Sequence, residues 1–198
     1  TTIAAMDARI TEAFPEYATL ANPLPLALNE AQGLLAPDEA IVTWLLGATK
    51  SLLWVVRKDD AKAFVLDVKA ADVSAAVKAL RQALDPAGVA RIEDLPRFPV
   101  AQAHKLYEQI FAPAEELLGG TRLVFIVPNG ALQSLPAGVL VTEAPTKVTV
   151  DIEDYRDVPW LAKRYAMTVL PSVRSLKALR VFAGKTAAKY PFAGFGGP

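Results

Sequence analysis

Residues 122–130 read Arg-Leu-Val-Phe-Ile-Val-Pro-Asn-Gly, and this stretch decides the fold. Residues 123–127 are all apolar, with a charged residue before them and a turn sequence after them. A short strand that is apolar on both faces is typical of the middle of a parallel sheet covered by helices on both sides. The stretch therefore predicts a central strand of an α/β protein.

The sequence after this strand continues the α/β pattern. Residues 166–170 predict a second buried strand, and residues 192–195 predict the start of a third. Helices predicted at 100–118 and 173–181 alternate with these strands, and Pro171-Ser172 opens the second of them. This alternation is typical of parallel strands. Between the elements, residues 148–152 predict a short strand and residues 160–165 a helical turn.

The sequence before residue 100 has a different pattern. Three apolar runs at 40–46, 52–56 and 63–68 are separated by turns and predict an antiparallel meander, and a helix is predicted at 70–84. The expected fold is a mixed sheet with parallel core strands, flanked by helices and preceded by the meander.

The first 38 residues are predicted to be a helical linker and an extended connector. An apolar stripe predicts a helix from residue 2 to about residue 13, where Pro15 limits it. Asn29 is placed to cap a short helix that reaches residue 35. Residues 39–198 are then expected to form one domain.

Composition excludes several function classes. The 198 residues include 21 basic and 21 acidic side chains, so no basic field attracts nucleic acid or an anionic membrane surface. The longest uncharged stretch, 123–142, contains Pro128, Asn129 and Gly130, which a membrane span does not tolerate. A soluble, cytoplasmic protein is predicted, with no nucleic-acid or membrane partner.

The chain offers few residues for catalysis. It has no cysteine and one histidine, which excludes thiolate nucleophiles, disulfides and metal sites built on cysteine or on two histidines. His104 flanks the apolar stripe of helix 100–118 and lacks a partner serine in a Gly-x-Ser-x-Gly pattern, so it is interpreted as a structural or surface histidine. No catalytic residue, metal site or cofactor is predicted.

Topology still indicates where a site would lie. Ligands of open parallel sheets gather at the carboxyl ends of the strands. Asn129, Gly130 and Ser172 follow the predicted strands there and are the candidate residues of a substrate cleft. Turn formation and helix capping explain the same residues equally well.

A series of short motifs follows along the chain: Phe14-Pro15-Glu16-Tyr17-Ala18 with Leu20, Ala21, Pro23 and Pro25; Pro37 with Glu39-Ala40; Leu106-Tyr107; residues 122–130; Leu132 with Leu135-Pro136; Pro171-Ser172; and Phe195-Gly196-Gly197-Pro198. Their order and spacing resemble the CHAT domain, a family of the caspase and separase clan that often follows tetratricopeptide repeats. The family usually has aspartate at the position of Asn129, phenylalanine at Ala137 and asparagine at Gly197.

The resemblance implies a caspase-like fold and the amino-terminal scaffold of a cysteine endopeptidase domain. The family's catalytic histidine and cysteine lie on later strands, beyond the position of Pro198, so the chain as given is expected to be inactive. The implied partners are a protein or peptide substrate and an upstream repeat domain. The alternative is a non-enzymatic module for protein interaction or signalling, and an unrelated hydrolase or nucleotide binder is a third interpretation.

The two ends of the sequence lead to one more expectation. The chain starts Thr1-Thr2 without methionine and stops on the turn sequence Gly196-Gly197-Pro198, which predicts a segment of a longer protein. Such a segment is expected to have an open sheet edge. That edge is expected to pair through a dimer, a swapped strand or a partner fragment.

Overall fold

A computed structural model describes residues 26–182, apart from residues 86, 92, 93, 148 and 150, together with Met6 and Arg9. Met6 and Arg9 are helical, and the rest of the helix predicted at 2–13 lies outside the described residues, as does the strand predicted at 192–195. The described strands are β1 (Glu39–Leu45), β2 (Ser51–Arg57), β3 (Ala61–Leu66), β4 (Leu123–Val127) and β5 (Ala166–Val169). The described α-helices are α1 (Leu28–Gly33), α2 (Ala70–Leu84), α3 (Val100–Ile110) and α4 (Val173–Phe182).

The five strands form one mixed sheet in the order β3-β2-β1-β4-β5. β1, β2 and β3 pair antiparallel as the predicted meander, and β4 is parallel to both β1 and β5. The predicted α/β fold with a mixed sheet is therefore confirmed. β1 joins the antiparallel meander to the parallel strands, because it pairs with β2 on one side and with β4 on the other.

The sheet is covered by helices on both faces. Alternate residues of a strand point to opposite faces, and here Val42 and Ile126 lie on the first face while Ile41 and Phe125 lie on the second. α2 and α3 pack on the first face in the larger core cluster, and α1 and α4 pack on the second. No helix among the described residues has the length and apolar content needed to cross a membrane.

β5 differs from its predicted environment. The run at 166–170 was expected to be buried, yet Ala166, Thr168 and Val169 are exposed. These residues are exposed because β5 lies at the end of the strand order, where β4 is the one strand that pairs with it in the described part of the chain. Leu170, just past the strand, is buried in the cluster that also holds Leu176 of α4.

The predicted helix at 100–118 is divided in two. α3 ends at Ile110, and a 3₁₀ segment Ala112–Glu116 follows. Pro113 explains the break, since it has no N–H to donate to the carbonyl four residues earlier.

Two smaller predictions are corrected near the turns. The cap of α1 is Ala27, whose N–H donates to the Glu30 carboxylate at 3.1 Å, and Asn29 lies inside the helix. In the range 148–152 the described residues form no strand, and Ile152 begins a 3₁₀ segment, Ile152–Arg156. The helical turn at 160–165 is confirmed as a 3₁₀ segment, Leu161–Lys163.

Candidate functional site

The carboxyl ends of β1, β4 and β5 lie at one edge of the sheet, because these three strands are parallel. We call residues 46–47, 128–130 and 170–172 the carboxyl edge. A hydrogen bond just before this edge ties two of the strands together, since the Thr43 hydroxyl donates to the Val127 carbonyl at 3.0 Å. This hydrogen bond therefore holds β1 and β4 together close to where the loops leave the sheet.

Asn129 and Gly130 form the turn after β4. Asn129 is half-buried, and its side-chain oxygen accepts the backbone N–H of Leu46 at 3.3 Å, which links the end of β4 to the end of β1. Gly130 is exposed and has a φ of 55°, a left-handed conformation that favours glycine. Asn129 thus shapes the carboxyl edge through a side-chain hydrogen bond, and Gly130 through its backbone conformation.

Ser172 stands at the end of β5 and caps α4. Its Oγ accepts the backbone N–H of Ser175 at 3.2 Å and lies 3.0 Å from the Ser175 hydroxyl. Serine nucleophiles need a neighbouring base such as histidine. Within the described residues both hydrogen-bond partners of this hydroxyl belong to Ser175, so Ser172 is set up for capping and not for attack.

His104 lies away from the carboxyl edge, on α3. Its Nδ1 is 2.9 Å from the Val141 carbonyl, so this nitrogen carries a proton and donates it. Its Nε2 is 3.7 Å from the carboxylate of Glu108, and its ring stacks on Tyr107 at 6.1 Å. These contacts fit the structural interpretation of this histidine.

The most perturbed titratable groups surround Glu115. Arg164 donates to both carboxylate oxygens of Glu115 at 2.8 Å and lies 3.4 Å from Glu143. Burial first, and then a hydrogen bond to Glu115, raises the pKa of Tyr107, while burial also raises the pKa of Tyr165. Titratable groups with shifted pKa values often mark active sites. This network instead joins the end of α3 to the loops around it, so we interpret it as structural.

A cavity of about 240 Å³ lies on the first face beside the carboxyl edge, and we call it the β5 cavity. Pro128 is among its lining residues, whereas Asn129, Gly130 and Ser172 are not. Sequence reasoning missed this cavity, although apolar residues in the segment after β4 were a signal for it. Its main apolar lining is Trp44, Ile110, Ile126, Leu135, Leu140 and Val169.

Metal-ligand geometry gives no further site in the described part of the chain. No group of three or more histidine, aspartate or glutamate side chains there is arranged to hold a metal ion.

Comparisons with known proteins give one family match. A family model of the CHAT domain matches residues 100–198, which is half of the chain. Among curated proteins no match is found. Six chains of solved structures match. One belongs to the Alp12 filament structure, with 8% identity over 79% of this chain and a TM-score of 0.34. The alignment covers 51% of that chain, about half of its length.

The matched range begins at the first residue of α3 and includes β4, β5 and α4. β1, β2 and β3 precede it, yet they belong to the same sheet because β1 pairs with β4. The carboxyl edge therefore combines Leu46 and Gly47, from before the matched range, with the turns after β4 and β5.

Proposed function

Because the chain belongs to the CHAT domain family, a caspase-like family related to peptidases, we propose that it is the amino-terminal scaffold of a cysteine endopeptidase domain. The observation that carries the proposal is the meeting of the parallel strands β1, β4 and β5 at one carboxyl edge. Such an edge is where open α/β sheets bind their ligands. The scaffold supplies one wall of a substrate cleft.

In this proposal Asn129, Gly130 and Ser172 shape the cleft wall. Asn129 holds the turn after β4 against β1, and Ser172 fixes the start of α4. The chain has no cysteine, so it does not form a thiolate nucleophile and does not cleave peptides by itself. The catalytic histidine and cysteine belong to later strands of the family's domain.

The proposed partners follow from the family and from composition. A protein or peptide substrate occupies the cleft, and a tetratricopeptide repeat domain precedes the scaffold. The formal net charge of zero offers no general attraction to nucleic acid or to an anionic membrane. The chain has no cysteine and therefore needs no oxidising compartment for disulfides, and we place the protein in the cytoplasm as part of the proposal.

A second function, a non-enzymatic interaction module, is favoured by one surface. On the second face of the meander, Leu52 lies directly between Leu45 and Val65 of the neighbouring strands. Leu45 is 52% exposed and Val65 is 66% exposed. Contiguous exposed apolar side chains mark interaction sites, so this row supports protein binding without catalysis.

The sequence encoded after residue 198 separates the two functions. The peptidase proposal expects a histidine on one following strand and a cysteine on the next, and peptide cleavage by the continued protein that iodoacetamide abolishes. The untreated continued protein is the control. A stop codon directly after Pro198, or a continued protein without cleavage that depends on a thiol, would instead support the interaction module.

A further inference from the structure

The β5 cavity has a buried apolar floor and an exposed rim. Trp44, Ile126 and Leu140 belong to its floor, and all three side chains are buried. Val169 on the rim is 60% exposed, and Pro136 beside it in the lining is exposed as well, so the cavity opens to solvent. Ligand sites in proteins are typically concave and mostly apolar in this way.

The walls of the cavity are held by the chain's own hydrogen bonds. The indole N–H of Trp44 donates to the Ile110 carbonyl at 2.8 Å, which fixes the ring and leaves it no donor for a polar ligand. A guanidinium N–H of Arg81 donates to the Ser134 carbonyl, and the Ser134 hydroxyl donates to the Ala131 carbonyl at 2.8 Å. The loop that forms one wall is therefore anchored to α2.

The lining of the cavity favours an uncharged occupant. No charged residue of the described part of the chain lines it. Its polar side chains, Gln133 and Ser134, are exposed. A carboxylate or an ammonium group would lose its hydration against Ile126 and Leu135 without meeting an opposite charge. An apolar side chain instead gains free energy by leaving water.

The volume of the cavity suits one large side chain. An apolar cavity of about 150 Å³ binds benzene, and the β5 cavity has about 240 Å³. It therefore has room for the side chain of leucine, methionine or phenylalanine. A side chain as small as alanine would leave most of it unfilled.

The cavity adjoins the carboxyl edge. Pro128 and Val169 line it, and the residues that follow them along the chain, Asn129 and Leu170, belong to that edge. A peptide bound along the carboxyl edge therefore lies beside the mouth of the cavity. We propose that the β5 cavity receives a large apolar side chain of the peptide substrate, so that the substrates carry leucine, methionine or phenylalanine at one fixed position. This inference rests on the proposed function, because it takes the carboxyl edge as the wall of a substrate cleft.

The test is a binding experiment on the full 198-residue chain, and it requires no cleavage. N-acetyl amides of single amino acids serve as probes, and NMR records the indole N–H resonance of Trp44 on the cavity floor. We expect the leucine, methionine and phenylalanine amides to shift this resonance with dissociation constants of about a millimolar. The aspartate, lysine and glycine amides should bind at least about tenfold more weakly.

Two variants locate the bound probe. Ala137→Phe places a ring in the cavity, since Ala137 is half-buried in the lining, and should weaken binding of the leucine amide at least about tenfold. Ala75→Phe is the matched control and should bind normally, because Ala75 is exposed on α2 outside the lining. If Ala137→Phe does not fold, Val169→Glu puts a carboxylate on the exposed rim and should weaken binding at least about threefold.

Three results would overturn the proposal. A Trp44 resonance that none of the apolar amides shifts would show that the cavity takes no such side chain. Equal binding of the leucine and aspartate amides would remove its selectivity. Unchanged binding in Ala137→Phe, or in Val169→Glu if that variant replaces it, would place the probe elsewhere.

The peptidase function fails separately from this inference. A continued protein that binds the leucine amide but cleaves no peptide would reject the peptidase function and keep the cavity as a binding site. A continued protein that cleaves peptides without regard to an apolar residue would reject the role of the cavity and keep the peptidase function.

Discussion

Replacing Asn129 tests whether this residue is an anchor of the carboxyl edge. Asn129→Ala removes the oxygen that accepts the Leu46 N–H. A neutral hydrogen bond contributes about 0.5–1.5 kcal/mol to stability. The distance of 3.3 Å is longer than the usual length, so the loss should be about 1 kcal/mol at most. Asn129→Asp keeps an acceptor oxygen at the same place and should retain most of the stability.

Urea unfolding followed by circular dichroism measures the effect. With a slope of roughly 2 kcal/mol per molar urea, a loss of about 1 kcal/mol lowers the midpoint by about 0.5 M. Gln82→Ala is the control, since Gln82 is an exposed amide side chain inside α2 and alanine is a good helix former. An unchanged midpoint for Asn129→Ala, or an Asp variant as unstable as the Ala variant, would refute the anchoring role.

Three further predictions concern stability. Gly47→Ala should lower the melting temperature, because a Cβ there would lie 2.2 Å from the Lys50 carbonyl oxygen. Gly119→Ala is the control and should leave the melting temperature unchanged, since a Cβ at Gly119 meets no atom within 4 Å. Equal melting temperatures for the two variants would contradict this prediction. Glu39→Ala should lower the free energy of unfolding in urea by about 1.5–3 kcal/mol. The buried carboxylate accepts the Ala36 N–H at 2.8 Å and a guanidinium N–H of Arg180 at 2.6 Å. Glu39→Gln keeps an acceptor oxygen and should lower the stability less; a larger loss for Gln than for Ala would contradict this prediction. The raised pKa of Tyr107 means that the unfolded tyrosine releases its proton near pH 10 while the folded one keeps it, so its contribution is full below that pH and falls as the pH rises. Melting curves from about pH 8 to about pH 11 should show a shallower alkaline loss for Tyr107→Phe, and an equally steep loss in both proteins would argue against the burial effect.

The sheet could be predicted where the local pattern is strong. The five consecutive apolar residues of β4 require a covered central strand, and the strand has the predicted bounds. α2 also has its predicted bounds, because its stripe of Val73, Val77 and Leu80 is uninterrupted and packs on the first face. In both elements local propensity and tertiary packing favour the same structure.

The incorrect predictions concern elements whose structure depends on residues outside the local sequence pattern. The apolar run of β5 predicts a strand but does not say how many strands pair with it, so the exposure of Val169 could not be predicted. One proline, Pro113, outweighs the helical stripe of its surroundings and ends α3 early.

The sequence predicted where Asn129 and Ser172 lie but not which contacts they make. The rule for parallel strands locates both residues at one edge of the sheet, in agreement with the parallel pairing of β4 and β5, and their role in a substrate cleft stays a prediction. The bond from Leu46 to Asn129 joins residues 83 positions apart, and the β5 cavity combines Trp44 with Val169. Such contacts depend on the tertiary fold and leave no local signal.

We propose that this chain is a scaffold that does not cleave peptides without later strands of its family's domain. The most direct test incubates the purified 198-residue chain with a peptide library and identifies products by mass spectrometry. We predict no cleavage above the level of a heat-denatured sample. Cleavage at defined sequences that elutes with the chain through successive chromatography steps and persists after iodoacetamide treatment would contradict the claim, because the chain has no thiol for that reagent to block.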